Sequence, residues 1–523
     1  MLLKNLILSF ISFGILSNAC AQNNSQVERY ANEIKESSAR EHLTTLASDD
    51  FEGRDTGKPG GQKAAQYIAD EFKKLNLSAP VNNSYFQPIE LTESQFQVQS
   101  FNVNNESYRA GQDFFMTGSG KETTISVNDI LFIGYGISSS QYDDLKGIDI
   151  TNKVVLVINE GEPVNTRGIS YITGKKQLSD WSTQPNKRLQ AILAKNPKLI
   201  LAVSSNVQST LDDMGESINR SRIVLKEDFK EPVNTIGVAH ITVDIANQLL
   251  KQAGISLTDL KKNINNEGVP SSKVIPTNLY TSFGTHINDV KSQNVLGYLE
   301  GSDLKDELIV ISAHYDHVGV SNGEIYNGAD DDASGTTGVL EMARAFTKSK
   351  EDGHGPRRSI LFMTVTGEEK GLLGSDYYTR HPIYPLENTV SNLNIDMIGR
   401  IDPAHQSNPN YIYLIGSDKL SSELHKISEQ VNAEHTQLSL DYKYNDPNDP
   451  ERIYYRSDHY NFAKNRIPVI FYFNGVHEDY HQPTDTADKI NFELLIKRTK
   501  LVFYTAWEIA NRDKRLVIDS NKR

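Results

Sequence analysis

The sequence predicts an α/β protein with a central, mostly parallel mixed sheet flanked by helices, and with an inserted β-rich domain. Three observations predict this class. From about 285 to 515, apolar runs of strand length alternate with segments of helical periodicity. Several of these runs are apolar at nearly every position, which is typical of strands buried on both faces of a sheet. From about 122 to 255, short strand-like runs punctuated by glycine replace that alternation.

The first element along the chain is an export signal, predicted over residues 1–21. Lys4 is followed by an apolar run from Leu6 to Leu16, which is too short for a permanent membrane anchor. A cleavage site of the A-x-A kind follows at 19–21. The alternative is that Cys20 becomes a lipidated first residue. We therefore expect export to the periplasm or the extracellular medium, either free or as a lipoprotein anchored through Cys20.

The segment from 28 to 80 is predicted to be helical. Ala64, Ala65, Ile68 and Phe72 recur at helical spacing, which places them on one face. We interpret this face as part of a core.

The segment from 122 to 255 is predicted to be an inserted module without a catalytic role. Its strands are expected at Ile130–Ile133, Val154–Ile158 and Leu199–Val203, and a helical pattern covers Leu189–Leu193. No cluster of nucleophile, general base and metal ligand stands out there. The alternative, a second catalytic site, therefore has no residues to support it.

The segment from 285 to 515 supplies the main sheet and its helices. The predicted strands are Asn294–Tyr298, Leu308–Ala313, Ser359–Thr366, Asn392–Met397, Tyr411–Ile415 and Ile467–Phe473. The predicted helices are Ser334–Phe346, Ser421–Val431 and Phe492–Asn511. This alternation is what a mostly parallel sheet requires.

Composition excludes several classes of function. A length of 523 residues predicts at least two domains, since a domain typically holds about 100–200 residues. A formal net charge of −13 argues against non-specific nucleic-acid binding, which needs a basic face. The single cysteine excludes a disulfide framework and a cysteine-based zinc site. Any metal must therefore be bound by His, Asp and Glu. Apart from the export signal, no stretch approaches the length of a transmembrane helix.

Histidines and carboxylates cluster directly after the predicted strands. In an open α/β sheet, ligands bind outside the carboxyl ends of the strands, so we expect these side chains to meet in one crevice. They are His314 and Asp316 in the motif 314–317, Asp331 in an acidic triplet that opens a helix, the pair Glu368 and Glu369, Asp396, and His481.

Two histidines with several carboxylates suit a hydrolytic zinc site, and one carboxylate can bridge two ions. The adjacent Glu368 and Glu369 offer one general base and one ligand. They can share a site only if the backbone there leaves strand geometry, because successive strand side chains oppose each other. The alternative is that the acidic residues merely cap helices, as Asp332 could do.

With these motifs, the chain resembles the di-zinc aminopeptidase family of co-catalytic zinc exopeptidases, which also includes glutamate carboxypeptidase II and glutaminyl cyclase. The resemblance includes Glu52-Gly53-Arg54. It implies the zinc exopeptidase fold and two zinc ions. It also divides the chain into a signal peptide (1–21), an N-terminal part of the peptidase domain (22–121), an inserted protease-associated domain (122–255) and the remaining catalytic domain (256–523).

The resemblance implies five metal ligands. His314 and Asp396 would bind the first zinc, Glu369 and His481 the second, and Asp331 would bridge both.

The resemblance also implies three residues that serve the reaction. Glu368 would be the general base, Asp316 would orient the His314 imidazole, and Tyr480 would steady the oxyanion.

The implied function is an exported zinc aminopeptidase that removes N-terminal residues from peptides. A carboxypeptidase or dipeptidase of the glutamate carboxypeptidase type remains open, and its pocket would need basic residues such as Arg400, Arg452 or Arg456. A glutaminyl cyclase, which needs one zinc, and a binding protein that has lost catalysis are further alternatives. The sequence does not specify the oligomeric state.

Overall fold

The computed structural model of the chain describes residues 25–519 except 216, 217 and 219. The predicted export signal and Cys20 lie outside the described residues. The chain divides into two compact units. The first combines the residues up to Leu91 with those from Val290 onward, and the second runs from Thr92 to Asp289.

The first unit is built on a mixed, mostly parallel sheet, which confirms the predicted fold class. Its strands, in spatial order, are Ser439–Asp441, Tyr411–Ile415, Val469–Phe473, Thr389–Ile395, Leu304–His314, Arg358–Val365 and the end of Lys273–Leu299. Four of the neighbouring pairs are parallel, and two are antiparallel. A small hairpin joins Gly319–Ser321 to Glu324–Tyr326.

Helices cover both faces of this sheet, as parallel strands require. Along Leu304–His314, Ile309 and Ile311 pack into one hydrophobic core, whereas Leu308 and Val310 pack into another. The helices of this unit are Glu36–Leu46, Pro59–Lys74, Gly335–Glu351, Leu373–Arg380, Ser422–Val431, His459–Ala463 and Phe492–Asn511, with a 3₁₀ turn at Asp49–Arg54.

The second unit carries the remaining strands and has its own hydrophobic cores. The strand order is Lys273–Leu299, Thr123–Phe132, Val154–Ile158, Leu199–Val203, Gly237–Ile241 and Phe114–Thr117, and the three middle pairs are parallel. Further strands are Phe86–Val103, Glu106–Ser107 and Arg222–Leu225. The helices are Asp180–Thr183, Pro185–Leu193, Val207–Met214, Val243–Leu250 and Leu257–Glu267.

The second unit is wider than the predicted inserted module at 122–255. Both boundary positions lie inside long strands, Phe86–Val103 and Lys273–Leu299. Buried and exposed residues alternate along much of these strands, and each strand continues through its boundary position. Because each boundary lies within a continuous strand, the sequence pattern did not indicate a domain boundary at 92 or at 289.

No helix of the described part of the chain is both long enough and apolar enough to cross a membrane.

Candidate metal centre

The predicted site residues lie at one edge of the first unit's sheet. The strands Val469–Phe473, Thr389–Ile395, Leu304–His314 and Arg358–Val365 are successive parallel neighbours, so their carboxyl ends lie at the same edge. His314 is the last residue of its strand, and Asp396 directly follows another. This is the edge at which open α/β sheets bind ligands.

The carboxylate of Asp331 faces two groups of potential ligands at once. Its Oδ1 lies 3.2 Å from His314 Nε2, and its Oδ2 lies 3.0 Å from His481 Nε2. The first group is His314, Asp331 and Asp396, and the second is His317, Asp331, Glu369 and His481. The structure thus brings together all five residues predicted as metal ligands.

Hydrogen bonds to His314 and Asp396, made at the atoms that do not face the group, hold these two side chains in place. His314 Nδ1 lies 3.0 Å from the main-chain oxygen of Asp316, which leaves Nε2 free to face the carboxylates. Ser457 Oγ donates a 2.6 Å hydrogen bond to Asp396 Oδ2. The other oxygen of Asp396 lies 3.6 Å from His314 Nε2. Both side chains therefore present one fixed atom to the group.

His317 belongs to the second group, and the sequence alone predicted no role for it. The side chain is fully buried, and its Nδ1 lies 2.9 Å from Glu369 Oε1. His481 Nε2 lies 3.1 Å from the same oxygen. A usable signal was present, because His317 is a second histidine in the motif that directly follows a strand.

The potential ligand atoms of the second group are arranged to bind a cation rather than to form hydrogen bonds with one another. Among the described residues, His317 Nδ1 and Nε2, His481 Nε2 and Glu369 Oε1 are buried atoms without a hydrogen-bond partner of acceptable geometry. Buried polar atoms are normally satisfied. Imidazole nitrogens and carboxylate oxygens that converge in this way are the ligands zinc prefers when no thiolate is present.

The backbone leaves strand geometry where Glu368 and Glu369 require it. The strand Arg358–Val365 ends just before, and Gly367 has a φ of +70°. Glu368 NH donates a 3.2 Å hydrogen bond to Asp316 Oδ1. The two glutamates can therefore reach the same site, as the sequence analysis required, and only Glu369 joins a ligand group.

Asp316 is placed differently from the prediction that its carboxylate orients His314. Its Oδ1 lies 3.8 Å from His314 Nδ1, beyond hydrogen-bonding distance. The carboxylate instead accepts hydrogen bonds from Glu368 NH and from Thr56 Oγ1, the latter at 2.8 Å. The main chain of Asp316 therefore holds the imidazole, and its side chain fixes the turn that carries Glu368.

The other two acids of the triplet support Asp331. Asp332 accepts hydrogen bonds from Gly335 NH at 2.8 Å and from Met397 NH at 3.0 Å, so it caps the helix Gly335–Glu351. Asp330 accepts from Gly399 NH at 2.6 Å. The helix-capping alternative therefore describes Asp332, whereas Asp331 faces the ligand groups.

A small cavity of about 30 Å³ opens beside the first group. Asp331, Glu368 and Asp396 line it on one side, together with Tyr480 and Arg456. The rest of its wall is apolar and is formed by Met397, Ile453, Phe471, Phe473 and Val476. The acidic groups thus face a pocket whose opposite wall is apolar.

Electrostatics distinguish Glu368 from the bridging carboxylate. Burial raises the pKa of Glu368 well above its usual value, and the Glu369 and Asp396 carboxylates raise it further against the opposing effect of His314. Burial also acts to raise the pKa of Asp331, but the surrounding imidazoles outweigh it and hold that pKa well below its usual value. Asp331 is thus kept ionised as a ligand must be, whereas Glu368 favours taking up a proton.

Comparison with known proteins points to one family. Residues 294–506 match Peptidase family M28. The chain is 36% identical to aminopeptidase YwaD of Bacillus subtilis (strain 168) over 110 residues, which are 21% of this chain and 22% of that protein. It is 27% identical to aminopeptidase Y of Saccharomyces cerevisiae over 244 residues, which are 44% of this chain and 41% of that protein. The matched segments thus span less than half of either relative.

Structural similarity to a solved protein extends over more of the chain than the sequence similarities do. The solved aminopeptidase from Aneurinibacillus sp. strain AM-1 superposes with a TM-score of 0.50 over 94% of this chain and 98% of that chain, at 17% identity. All residues of the two ligand groups lie between 294 and 506. The region that carries both groups is thus the part of the chain that is similar to peptidase family M28.

Proposed function

We propose that the protein is an exported zinc aminopeptidase that removes N-terminal residues from peptides and holds two zinc ions. The observation that carries the proposal is the Asp331 carboxylate, whose two oxygens face separate ligand groups beside a cavity. His314, Asp331 and Asp396 would hold one ion. Glu369 and His481 would hold the other with Asp331. Zinc, when bound, supplies an activated water and polarises the scissile carbonyl.

Glu368 is the proposed general base. It lines the cavity beside both ligand groups but belongs to neither. Its raised pKa favours accepting a proton from the attacking water and then passing it to the leaving amine. The hydrogen bond from its own NH to Asp316 fixes the turn from which the side chain projects.

Tyr480 is the proposed partner of the developing oxyanion. Its ring stacks on the ligand His481, with centroids 3.9 Å apart, and its hydroxyl accepts a 3.3 Å hydrogen bond from Arg456 Nη2. The guanidinium thereby orients the hydroxyl, whose own hydrogen is free to point into the cavity. Such a preorganised donor stabilises charge that appears only in the transition state.

The apolar wall of the cavity supports a preference for apolar N-terminal residues. Phe471 and Phe473 are buried strand residues, so their positions are fixed by the sheet. The free amine of such a substrate would lie toward the carboxylates at the other side of the pocket.

A panel of aminoacyl chromogenic substrates, run alongside zinc analysis, tests this function. We expect hydrolysis of leucyl or phenylalanyl substrates, faster than of glutamyl ones, by protein that carries about two zinc ions per chain. Activity with one zinc or none, or no turnover of any aminoacyl substrate, would contradict the proposal.

The position of Arg456 supports a second candidate function, that of a carboxypeptidase or dipeptidase. Of the three arginines considered from the sequence, Arg400 is engaged by Asp479 at 2.8 Å, and Arg452 lies over the ring of Tyr455. Arg456 lines the cavity and could bind a substrate carboxylate. Peptides with a blocked N-terminus or an amidated C-terminus separate the two functions, because an aminopeptidase rejects only the first.

The proposal extends to export and to the second unit. The signal features of residues 1–21 support secretion to the periplasm or the extracellular medium, either with cleavage before Gln22 or with lipidation of Cys20. The β strands and the lack of a catalytic cluster predicted for 122–255 support a protease-associated domain within the unit Thr92–Asp289. Mass spectrometry of the mature N-terminus would distinguish Gln22 from a lipidated Cys20.

A further inference from the structure

We infer that His317 is a fourth protein ligand in the second group, so that the two metal positions are unequal. The inference deepens the proposed function, since it rests on the same pair of ligand groups. The second position would be closed by four protein side chains, and the first would keep a place open toward the cavity.

The geometry of His317 is that of a ligand. Its ring is fully buried and lies in a T-shaped arrangement with the His481 ring, at 73° and with centroids 5.6 Å apart. Its Nδ1 lies 2.9 Å from Glu369 Oε1 and 3.7 Å from Asp331 Oδ2. These distances are short, yet neither ring nitrogen makes a hydrogen bond of acceptable geometry. Nitrogen and oxygen atoms that lie this close without forming hydrogen bonds are arranged as ligands are around a central metal ion.

The local structure makes room for this ring. A Cβ atom at Gly328 would lie 2.5 Å from both Cγ and Cδ2 of His317, so a larger residue would displace the imidazole. Gly328 has a φ of +53°, which also favours glycine. The carbonyl of Gly328 accepts a 2.8 Å hydrogen bond from Arg54, which keeps this backbone in place.

The two groups then differ in the way that separates closed from catalytic zinc sites. Closed sites typically have four protein ligands, whereas catalytic sites have three and an open position for water or substrate. The first group has three, and two of its members, Asp331 and Asp396, line the cavity. None of His317, Glu369 and His481 lines that cavity. The second position should therefore bind zinc more tightly and fill first.

Calorimetric titration of metal-free protein with zinc tests the inference. Wild type should show two binding events of unequal affinity. His317→Gln should weaken the tighter event by more than the roughly 10–100-fold that loss of a hydrogen-bonding partner behind a ligand costs. His405→Gln is the matched control, because His405 is a partly buried histidine bound to Asp402 and belongs to neither group. It should leave both events unchanged. A tighter event weakened less than tenfold by His317→Gln would overturn the inference.

X-ray absorption spectroscopy of wild type loaded with one equivalent of zinc needs no variant and avoids any effect on folding. The ion should show scattering from two imidazoles, since His317 and His481 share its position. A single imidazole would overturn the inference. Failure of the proposed function is a separate result: it would appear as two bound zinc ions without hydrolysis of any aminoacyl substrate.

Discussion

Glu368 and Glu369 are consecutive residues with different surroundings. Glu369 lies within 3.1 Å of both histidines of the second group, whereas Glu368 faces the cavity. The turn at Gly367 allows both side chains to reach one site. The proposed ligand and the proposed general base are therefore adjacent in sequence but lie in different surroundings.

Replacing each glutamate by glutamine should separate these roles. Glu368→Gln preserves shape but cannot accept a proton, so kcat should fall by about 10²–10⁴ while both zinc ions remain bound. Glu369→Gln should instead lower zinc affinity, because an amide is a poorer ligand, and excess zinc should restore part of the activity. Steady-state kinetics with metal analysis would measure both. Metal loss in Glu368→Gln with retention in Glu369→Gln would reverse the assignment.

Asp331 and Asp332 form a second pair of neighbours with contrasting roles. Asp331→Asn should remove the shared ligand and lower affinity for both zinc ions. Asp332→Ala should keep the metals but lower Tm, because it removes the acceptor of Gly335 NH and the loss of an N-cap costs about 0.5–2 kcal/mol. Metal analysis and thermal unfolding of the two variants would distinguish them. Equal metal contents would show that Asp331 is not the bridge.

At the scale of elements, Arg54 joins three segments that carry the site. Its buried guanidinium donates hydrogen bonds to the carbonyls of Leu46, Tyr315, Asn327 and Gly328 at 2.6–2.8 Å. Burial lowers its pKa to about 10, so the side chain stays charged at neutral pH. The 3₁₀ turn Asp49–Arg54 is thereby tied to the loops before and after the hairpin at 319–326.

Arg54→Met should destabilise the protein by several kcal/mol, because each buried acceptor left without a partner costs roughly 1–3 kcal/mol. The measurement is denaturant unfolding of the metal-free protein. Arg380→Met serves as the control: that arginine pairs with Asp376 at the surface, where an i,i+4 ion pair contributes about 0.3–0.5 kcal/mol. Similar losses in the two variants would contradict the proposed role of Arg54.

The sequence predicted the main sheet and a cluster of His and carboxylate side chains because strand ends combine an apolar run with an abrupt polar motif. The family resemblance then implied which five of them are metal ligands. The sequence did not assign His317, because the second histidine of the motif 314–317 signals a position near the site but does not by itself separate a buried ligand from a buried packing histidine. The contacts of Asp316 and the cavity wall also escaped prediction. They depend on which side chains distant segments bring together, as Thr56 is brought to Asp316.

At the scale of the whole molecule, each compact unit buries its own hydrophobic cores. The second unit has one cluster around Leu156 and Leu201 and another around Val155 and Ile200. Residues 92–289 expressed alone should therefore unfold cooperatively on heating and should bind no stoichiometric zinc. Calorimetry and metal analysis test this, with the full chain as the control. A fragment without a cooperative transition would show that this unit depends on the rest of the chain.

The fragment 92–289 also permits a test of pH-dependent stability that involves none of the proposed metal ligands. His240 stacks on Phe115, with ring centroids 4.3 Å apart, and burial lowers its pKa to about 4. The unfolded chain binds this proton near pH 6.5, so its contribution to stability is complete above that pH and is lost as the pH falls toward 4.

His240→Gln removes this titration. The stability difference between wild-type fragment and variant should therefore change between pH 6.5 and 4, with a slope of at most about 1.4 kcal/mol per pH unit. Partial exposure of His240 will reduce that slope. Denaturant unfolding at several pH values measures it. A constant difference across this range would mean that the histidine titrates normally in the folded fragment.

The interruption of the first unit by the second has a consequence for biosynthesis. Arg54 leaves the ribosome long before the carbonyls of residues 315, 327 and 328 that it binds. The intervening unit holds about 200 residues, which take about 10–40 s to translate at 5–20 residues per second. During that interval the early helices have no sheet to cover, and their apolar faces are available to chaperones. The first unit can thus remain unfolded until most of the chain exists.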